Sequence, residues 1–146
     1  MIVLVCGPPG VGKTTVTTML QQRLADETIP VRVLHSDDYG RHPYDRMFEA
    51  VQGSDAHWLL DGTFYKREWR EQFRRLDDVR VVSLRASEET CVRRNRERED
   101  PISERGVHVV WREFEEPDAD LTVDTDDLSP EVVVECVFEA WQRWTA

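Results

Sequence analysis

Gly7, Pro8, Pro9, Gly10, Val11, Gly12, Lys13 and Thr14 carry the most specific chemistry in the chain. They match GxxxxGK[ST]. In that pattern glycines let the backbone turn so that successive N–H groups face a phosphate chain, and the following helix turns its positive dipole end toward the same phosphates. The spacing assigns Lys13 to the β and γ phosphates, the Thr14 hydroxyl to magnesium, and Thr15 to the α phosphate. ATP with Mg2+ is the expected cofactor. A glycine-rich turn without a ligand is the competing reading. It is the weaker one, because an apolar run (Ile2–Cys6) precedes the loop and a helical pattern follows it.

Four further groups could work beside such a loop. Asp61 follows Trp58, Leu59 and Leu60, as a carboxylate at a strand end that orients a metal or its water would; a turn or cap aspartate is the alternative. Asp38 and Arg41 follow the second apolar run. Asp38 is placed to accept the proton of an acceptor hydroxyl or to hold magnesium through water, and Arg41 to bind the acceptor, unless the pair is an Asx turn beside an exposed arginine. Arg93, Arg94, Arg96 and Arg98 crowd one helix end. Arg94 and Arg98, four apart, share a face and are candidates to reach over the nucleotide and the transferring phosphoryl group; pairing with the helix dipole and with Glu97 and Glu99 is the plainer reading. Tyr65, Lys66, Arg67 and Arg70 follow the third apolar run, with Tyr65 and Arg67 candidates for the acceptor pocket and a solvated helix face equally open. The histidines at 35, 42, 57 and 108 show no ligand spacing and read as structural. Cys6, Cys91 and Cys136 show no CxxC spacing, so neither a zinc site nor a disulfide framework is indicated.

These groups need a frame, and β-branched runs alternating with amphipathic stretches predict one: an α/β fold with a five-stranded parallel sheet flanked by helices. The predicted strands are Ile2–Cys6, Val31–His35, Ala56–Leu60, Val79–Leu84 and Leu121–Val123. Helices are expected over Thr14–Ala25, His42–Val51, Tyr65–Leu76, from Ser87 to about Arg98, and from Ser129 to Trp144. Ser87 and Ser129 are cap residues, the latter with Pro130 at the first helical position. Residues 94–118 form a candidate lid: polar, interrupted at Asp100-Pro101, with a helical patch near Val107–Phe114. The length of 146 residues predicts a single domain over 1–146.

The net charge of −10, from 19 Lys and Arg against 29 Asp and Glu, opposes DNA or anionic membrane as a partner, and it leaves RNA possible only through a local basic patch. No apolar run approaches the roughly 18 residues of a membrane span. Met1–Cys6 lacks the basic lead and cleavage site of a signal peptide, so a cytoplasmic location and a small-molecule acceptor are expected.

With these motifs in hand, the chain resembles the small P-loop kinases, and most closely the adenylylsulfate kinase group with relatives such as O-phosphoseryl-tRNA kinase. The loop GPPGVGKTT is generic to that superfamily. HSDDYGR is similar to the group's acidic stretch with an arginine three places later, here Asp38 and Arg41. FEEPDADLTVDTDDLSP, from Phe114 to Pro130, is similar to its aromatic-Glu-x-Pro run leading into a strand that ends in Asp and Thr. The resemblance implies a kinase fold, with the region after Asp124 beside the nucleotide base, and an ATP-dependent transfer of the γ-phosphate to a hydroxyl, with adenylylsulfate the leading acceptor. The departures are Ser36, where the group has an acidic residue, and RNREREDPISERGV in place of a longer lysine-rich lid. Together with LLDGTFYKREWR, that lid looks closer to the tRNA-kinase relatives and to the Elongator-associated ATPases. A kinase for a nucleoside, tRNA-linked or other metabolite hydroxyl, and a regulatory P-loop ATPase module, are the alternative readings.

Overall fold

The computed structural model describes residues 1–146. Its elements, in chain order, are β1 (Ile2–Cys6), α1 (Lys13–Asp26), β2 (Val31–His35), a 3-10 turn (Ser36–Asp38), α2 (Pro43–Val51), β3 (His57–Gly62), α3 (Arg67–Glu71), a second 3-10 turn (Phe73–Arg75), β4 (Val79–Arg85), α4 (Glu88–Arg96), α5 (Glu104–Glu113), β5 (Leu121–Asp124) and α6 (Pro130–Thr145). The sheet is five-stranded, in the order β2-β3-β1-β4-β5. Every pairing is parallel. The most uniformly apolar strand, Ile-Val-Leu-Val-Cys, lies in the middle with all five residues buried. A strand covered on both faces must be apolar at every position, so its composition dictates its place.

Strand alternation sorts the core into two layers. Val3 and Val5 of β1 join Leu20, Leu24, Val133, Val137 and Trp141 in a cluster of 20 buried residues under α1 and α6. Ile2, Leu4 and Cys6 point the other way, into an 11-residue cluster with Tyr44, Met47, Phe64 and Phe73. The P-loop leaves the C-terminal end of β1, between these layers.

Helix starts follow their caps. The hydroxyls of Ser87, Ser103 and Ser129 accept hydrogen bonds from the backbone N–H of Thr90, Gly106 and Val132, opening α4, α5 and α6. The helix expected over Tyr65–Leu76 is shorter and tighter than its periodicity suggests. It forms one α-helical segment, Arg67–Glu71, followed by the 3-10 turn Phe73–Arg75. That turn carries Phe73 into edge contact with Phe48 and Phe64, at ring-centre distances of 5.6 and 5.7 Å. The candidate lid contains α5, whose start at Glu104 precedes the expected patch.

Candidate active site

The loop between β1 and α1 has the geometry of an anion cradle, with Val11 the one loop N–H that donates, to the Pro8 carbonyl at 3.4 Å. Gly10 and Gly12 hold φ of 90° and 98°, a region that L side chains avoid. Gly10 is also pinned by contact, since a Cβ there would lie 2.5 Å from the Cys91 carbonyl oxygen of α4. Gly12 occupies the cap position of α1 and offers no side-chain oxygen, and no acidic residue stands in the first turn. The opening N–H groups of a helix have no intrahelical acceptor. Three other helices here meet that need with serine; α1 leaves it unmet, as a phosphate-binding helix does.

Lys13 opens α1 with its Nζ folded back to donate to the Pro8 carbonyl at 2.9 Å. Burial pushes this ammonium down to about 8, against the opposing pull of Asp61 and Asp37. Thr14 and Thr15 are exposed at the same helix start. No cluster of three or more His, Cys, Asp or Glu side chains able to hold a metal occurs. Magnesium fits this donor set nonetheless, because it keeps several waters and takes one or two protein oxygens together with substrate phosphates.

Asp61 is buried at the end of β3, beside β1 and β2. The parallel register sets it opposite Val5 and His35. Its Oδ2 accepts from the Thr17 hydroxyl at 2.6 Å and meets His35 Nδ1 at 2.5 Å. The carboxylate is thus tied one helical turn beyond Thr14, through Thr17, with Oδ1 left over. This Thr17–Asp61–His35 cluster was not legible in the sequence. Its members are far apart along the chain, and only strand register brings them together.

Asp38 and Arg41 are exposed in the segment after β2. Asp37, their neighbour, reaches the lid side: Arg98 Nη2 lies 3.5 Å from its carboxylate. Arg94 does something different from Arg98, because α4 ends at Arg96, short of the expected Arg98, and the two arginines do not share a helical face. Its guanidinium donates to the Thr125 hydroxyl at 2.9 Å and the Thr125 carbonyl at 2.7 Å, with the Val11 carbonyl at 3.4 Å. The Thr125 hydroxyl reaches the carbonyls of Val11 and Arg85 at 3.2 and 3.1 Å. Arg94 therefore joins α4, the P-loop and the loop after β5 at one point. Two positions that sequence reasoning missed belong to this region. The buried Asn95 clasps Ile102, its Nδ2 donating to the carbonyl at 2.7 Å and its Oδ1 accepting from the N–H at 3.1 Å. Glu115 accepts from the Arg67 N–H at 2.7 Å and donates its own N–H to the Tyr65 carbonyl at 2.9 Å. The Tyr65 ring stands edge-on to Trp69 at 4.8 Å, and the Arg67 side chain is exposed.

A family model described as an AAA domain matches residues 3–120, from β1 to the threshold of β5. The chain belongs to this AAA domain family. Among solved structures, this AAA domain is similar to the Mycobacterium tuberculosis APS kinase CysC in complex with AMPPNP and APS (TM-score 0.75, 17% identity, covering 97% of this chain and 96% of that one). It is similar to a gluconokinase from Sinorhizobium meliloti 1021 (TM-score 0.73, 16% identity, 97% and 91% covered). Chaetomium thermophilum Kti12 in complex with ADP-AlF3 is also similar (TM-score 0.73, 19% identity, 96% and 98% covered). These likenesses carry the fold: a five-stranded parallel sheet of the P-loop kinase type. No helix of this AAA domain is long and apolar enough to cross a membrane.

Proposed function

We propose that this AAA domain is an ATP-dependent phosphotransferase that moves the γ-phosphate of ATP to a hydroxyl of a small acceptor. The observation that carries the reading is the uncapped start of α1, with Lys13 beside it, at the sheet end where Asp37 and Arg98 meet. The open N–H groups of the loop bind the phosphate chain, and Lys13 leaves the Pro8 carbonyl to neutralise it. Thr14 would hold Mg2+, with Asp61 acting behind it from Oδ1; when bound, the ion neutralises charge on the phosphate oxygens. Asp38 orients the acceptor hydroxyl and takes its proton. Arg98 and the lid close over the site and exclude water. Arg94 fixes the loop after β5 against the P-loop, which supports a place for the nucleotide base there.

Adenylylsulfate is the first acceptor to test, supported by the Asp38–Arg41 spacing and by the likeness to an APS kinase. Gluconate is an acceptor that the likeness to a gluconokinase suggests. A second class of reading, a nucleotide-dependent module that regulates a partner, draws support from the likeness to Kti12 over nearly the whole of both chains. One screen separates these readings. Transfer of labelled γ-phosphate to adenylylsulfate, gluconate, nucleosides or tRNA identifies a kinase. ATP turnover that no acceptor accelerates and no labelled product accompanies would instead favour the module.

A further inference from the structure

Arg70 is a buried cation without a counter-ion. Only 3% of its surface is exposed. One of its N–H groups is spoken for: Nη1 donates to the Phe64 carbonyl at 2.5 Å. No carboxylate lies within ion-pair distance, although Arg23, Arg96 and Arg112 all have one. Glu115 and Glu71 act on it only through space. A guanidinium carries five donors in a planar fork, so most of its capacity is unspent; its other nitrogens are not among the fully enclosed unpartnered atoms, which are Arg80 Nε and Ser83 Oγ, and so keep an edge open to solvent.

Its position gives the unspent donors a purpose. Arg70 holds the carbonyl of Phe64, which shares a buried cluster with Cys6, and Cys6 pairs with Gly62 at the end of β1 where the P-loop begins. The Cys6 thiol lies near both Arg70 and Lys13, so both cations stand close to the head of the central strand. Beside them the Tyr44 hydroxyl meets the Thr63 hydroxyl at 2.9 Å and accepts from the Phe64 N–H at 3.0 Å, adding neutral hydrogen-bonding groups to the same corner. A molecule reaching from the γ-phosphate on Lys13 toward α3 would meet Arg70 with its far end.

We propose that Arg70 recognises an oxyanion of the acceptor, a carboxylate, phosphate or sulfate, and so restricts this AAA domain to anionic acceptors. The inference deepens the phosphotransferase reading and rests on it. The competing role is purely structural: Arg70 would only hold the Phe64 carbonyl, at a residue whose φ is 45°.

The test uses the whole chain saturated with Mg2+ and AMPPNP, so that the P-loop is already filled. Sodium sulfate and sodium acetate are then titrated separately against sodium chloride at equal ionic strength, by calorimetry and by the Arg70 Nε–H resonance. The wild type is expected to bind one anion per chain and to shift that resonance, with sulfate favoured by a phosphate- or sulfate-bearing acceptor and acetate by a carboxylate. Arg70→Gln should weaken the binding by about tenfold or more, the scale of a lost charge-assisted hydrogen bond, with AMPPNP affinity unchanged. Arg70→Lys, which keeps the charge but not the fork, should fall between and serves if Arg70→Gln does not fold. An unmoved Arg70 resonance, no anion bound by the loaded wild type, or equal anion affinity in wild type and variant would each overturn the proposal. No phosphoryl transfer enters this measurement, so its failure is distinct from a failure of the acceptor screen.

Discussion

In the proposed transfer, Lys13 and the two aspartates divide the chemistry at the scale of single residues. Lys13→Ala should lower phosphoryl transfer by orders of magnitude and leave the fold intact, because the side chain contributes charge and makes only one hydrogen bond, to the Pro8 carbonyl. Circular dichroism beside the transfer assay checks both halves. The depressed affinity of Lys13 for its proton, about 8 in the free protein, adds a pH signature. Phosphates would raise that value on binding, so below pH 8 the affinity for Mg-ATP should be flat. Above it affinity should fall, by up to about tenfold per pH unit, as binding must first restore the proton. Calorimetry from pH 7 to 9.5 in buffers of different ionisation enthalpy should show proton uptake appearing above 8; its absence would mean that Lys13 stays charged without ligand. Asp38→Asn should cut transfer and spare Mg-ATP binding, whereas Asp61→Asn should raise the magnesium needed for both and also loosen Thr17 and His35. If excess magnesium rescues Asp38→Asn instead, the two roles are exchanged. The placement of Lys13 and Thr14 at the start of α1 was legible in the sequence because the motif is local. The bonds of Asp61 were not, because strand register creates them.

Elements proved readable where a local signal marks their ends. Ser87 and Ser129 cap the helices they were expected to cap, and the five strands lie within a residue or two of their predicted spans. The stretch after β3 was misread as one long helix, since the spacing of Trp69, Phe73 and Leu76 cannot show that the winding tightens at Phe73 to fill a gap between Phe48 and Phe64. The proposed lid would start from a fixed base. Asn95, 1% exposed, fixes the turn that carries the chain from α4 to α5 through both of its amide atoms, while Glu88 pairs with Arg112 and His108 to dock α5 on α4. Asn95→Ala should destabilise this connection by about 1–3 kcal/mol, the range for stranding buried partners. Amide exchange should then rise over residues 97–103 and stay unchanged in α1. In the wild type, ATP with acceptor should protect residues 100–118 from exchange; equal protection with and without ligands would count against a lid.

The whole molecule is organised around the C-terminal end of β1, and ligand binding should be felt throughout it. Mg-ATP at about a hundred times its Kd should add about 2.7 kcal/mol to the stability of the folded state, which for a chain of this size corresponds to roughly 5–10 °C in Tm. A thermal scan of wild type and Lys13→Ala would show a full shift in the first and a diminished one in the second. The full sheet order could not be read from the strands one by one: the apolar run of β1 marks it as central, but which strands flank it is set by pairings with β3 and β4, both distant in the chain. The packing of the P-loop extends this dependence beyond the motif. A Cβ at Gly7 would lie 2.6 Å from the Leu84 carbonyl oxygen of β4, and one at Gly10 would strike the Cys91 carbonyl of α4, whereas a Cβ at Gly12 would meet nothing within 4 Å. In a saturation library selected for nucleotide binding, then, position 12 should admit a few residues tolerant of positive φ, asparagine first. Position 10, which the motif leaves free, should return glycine alone unless the backbone of α4 shifts to accommodate a larger residue.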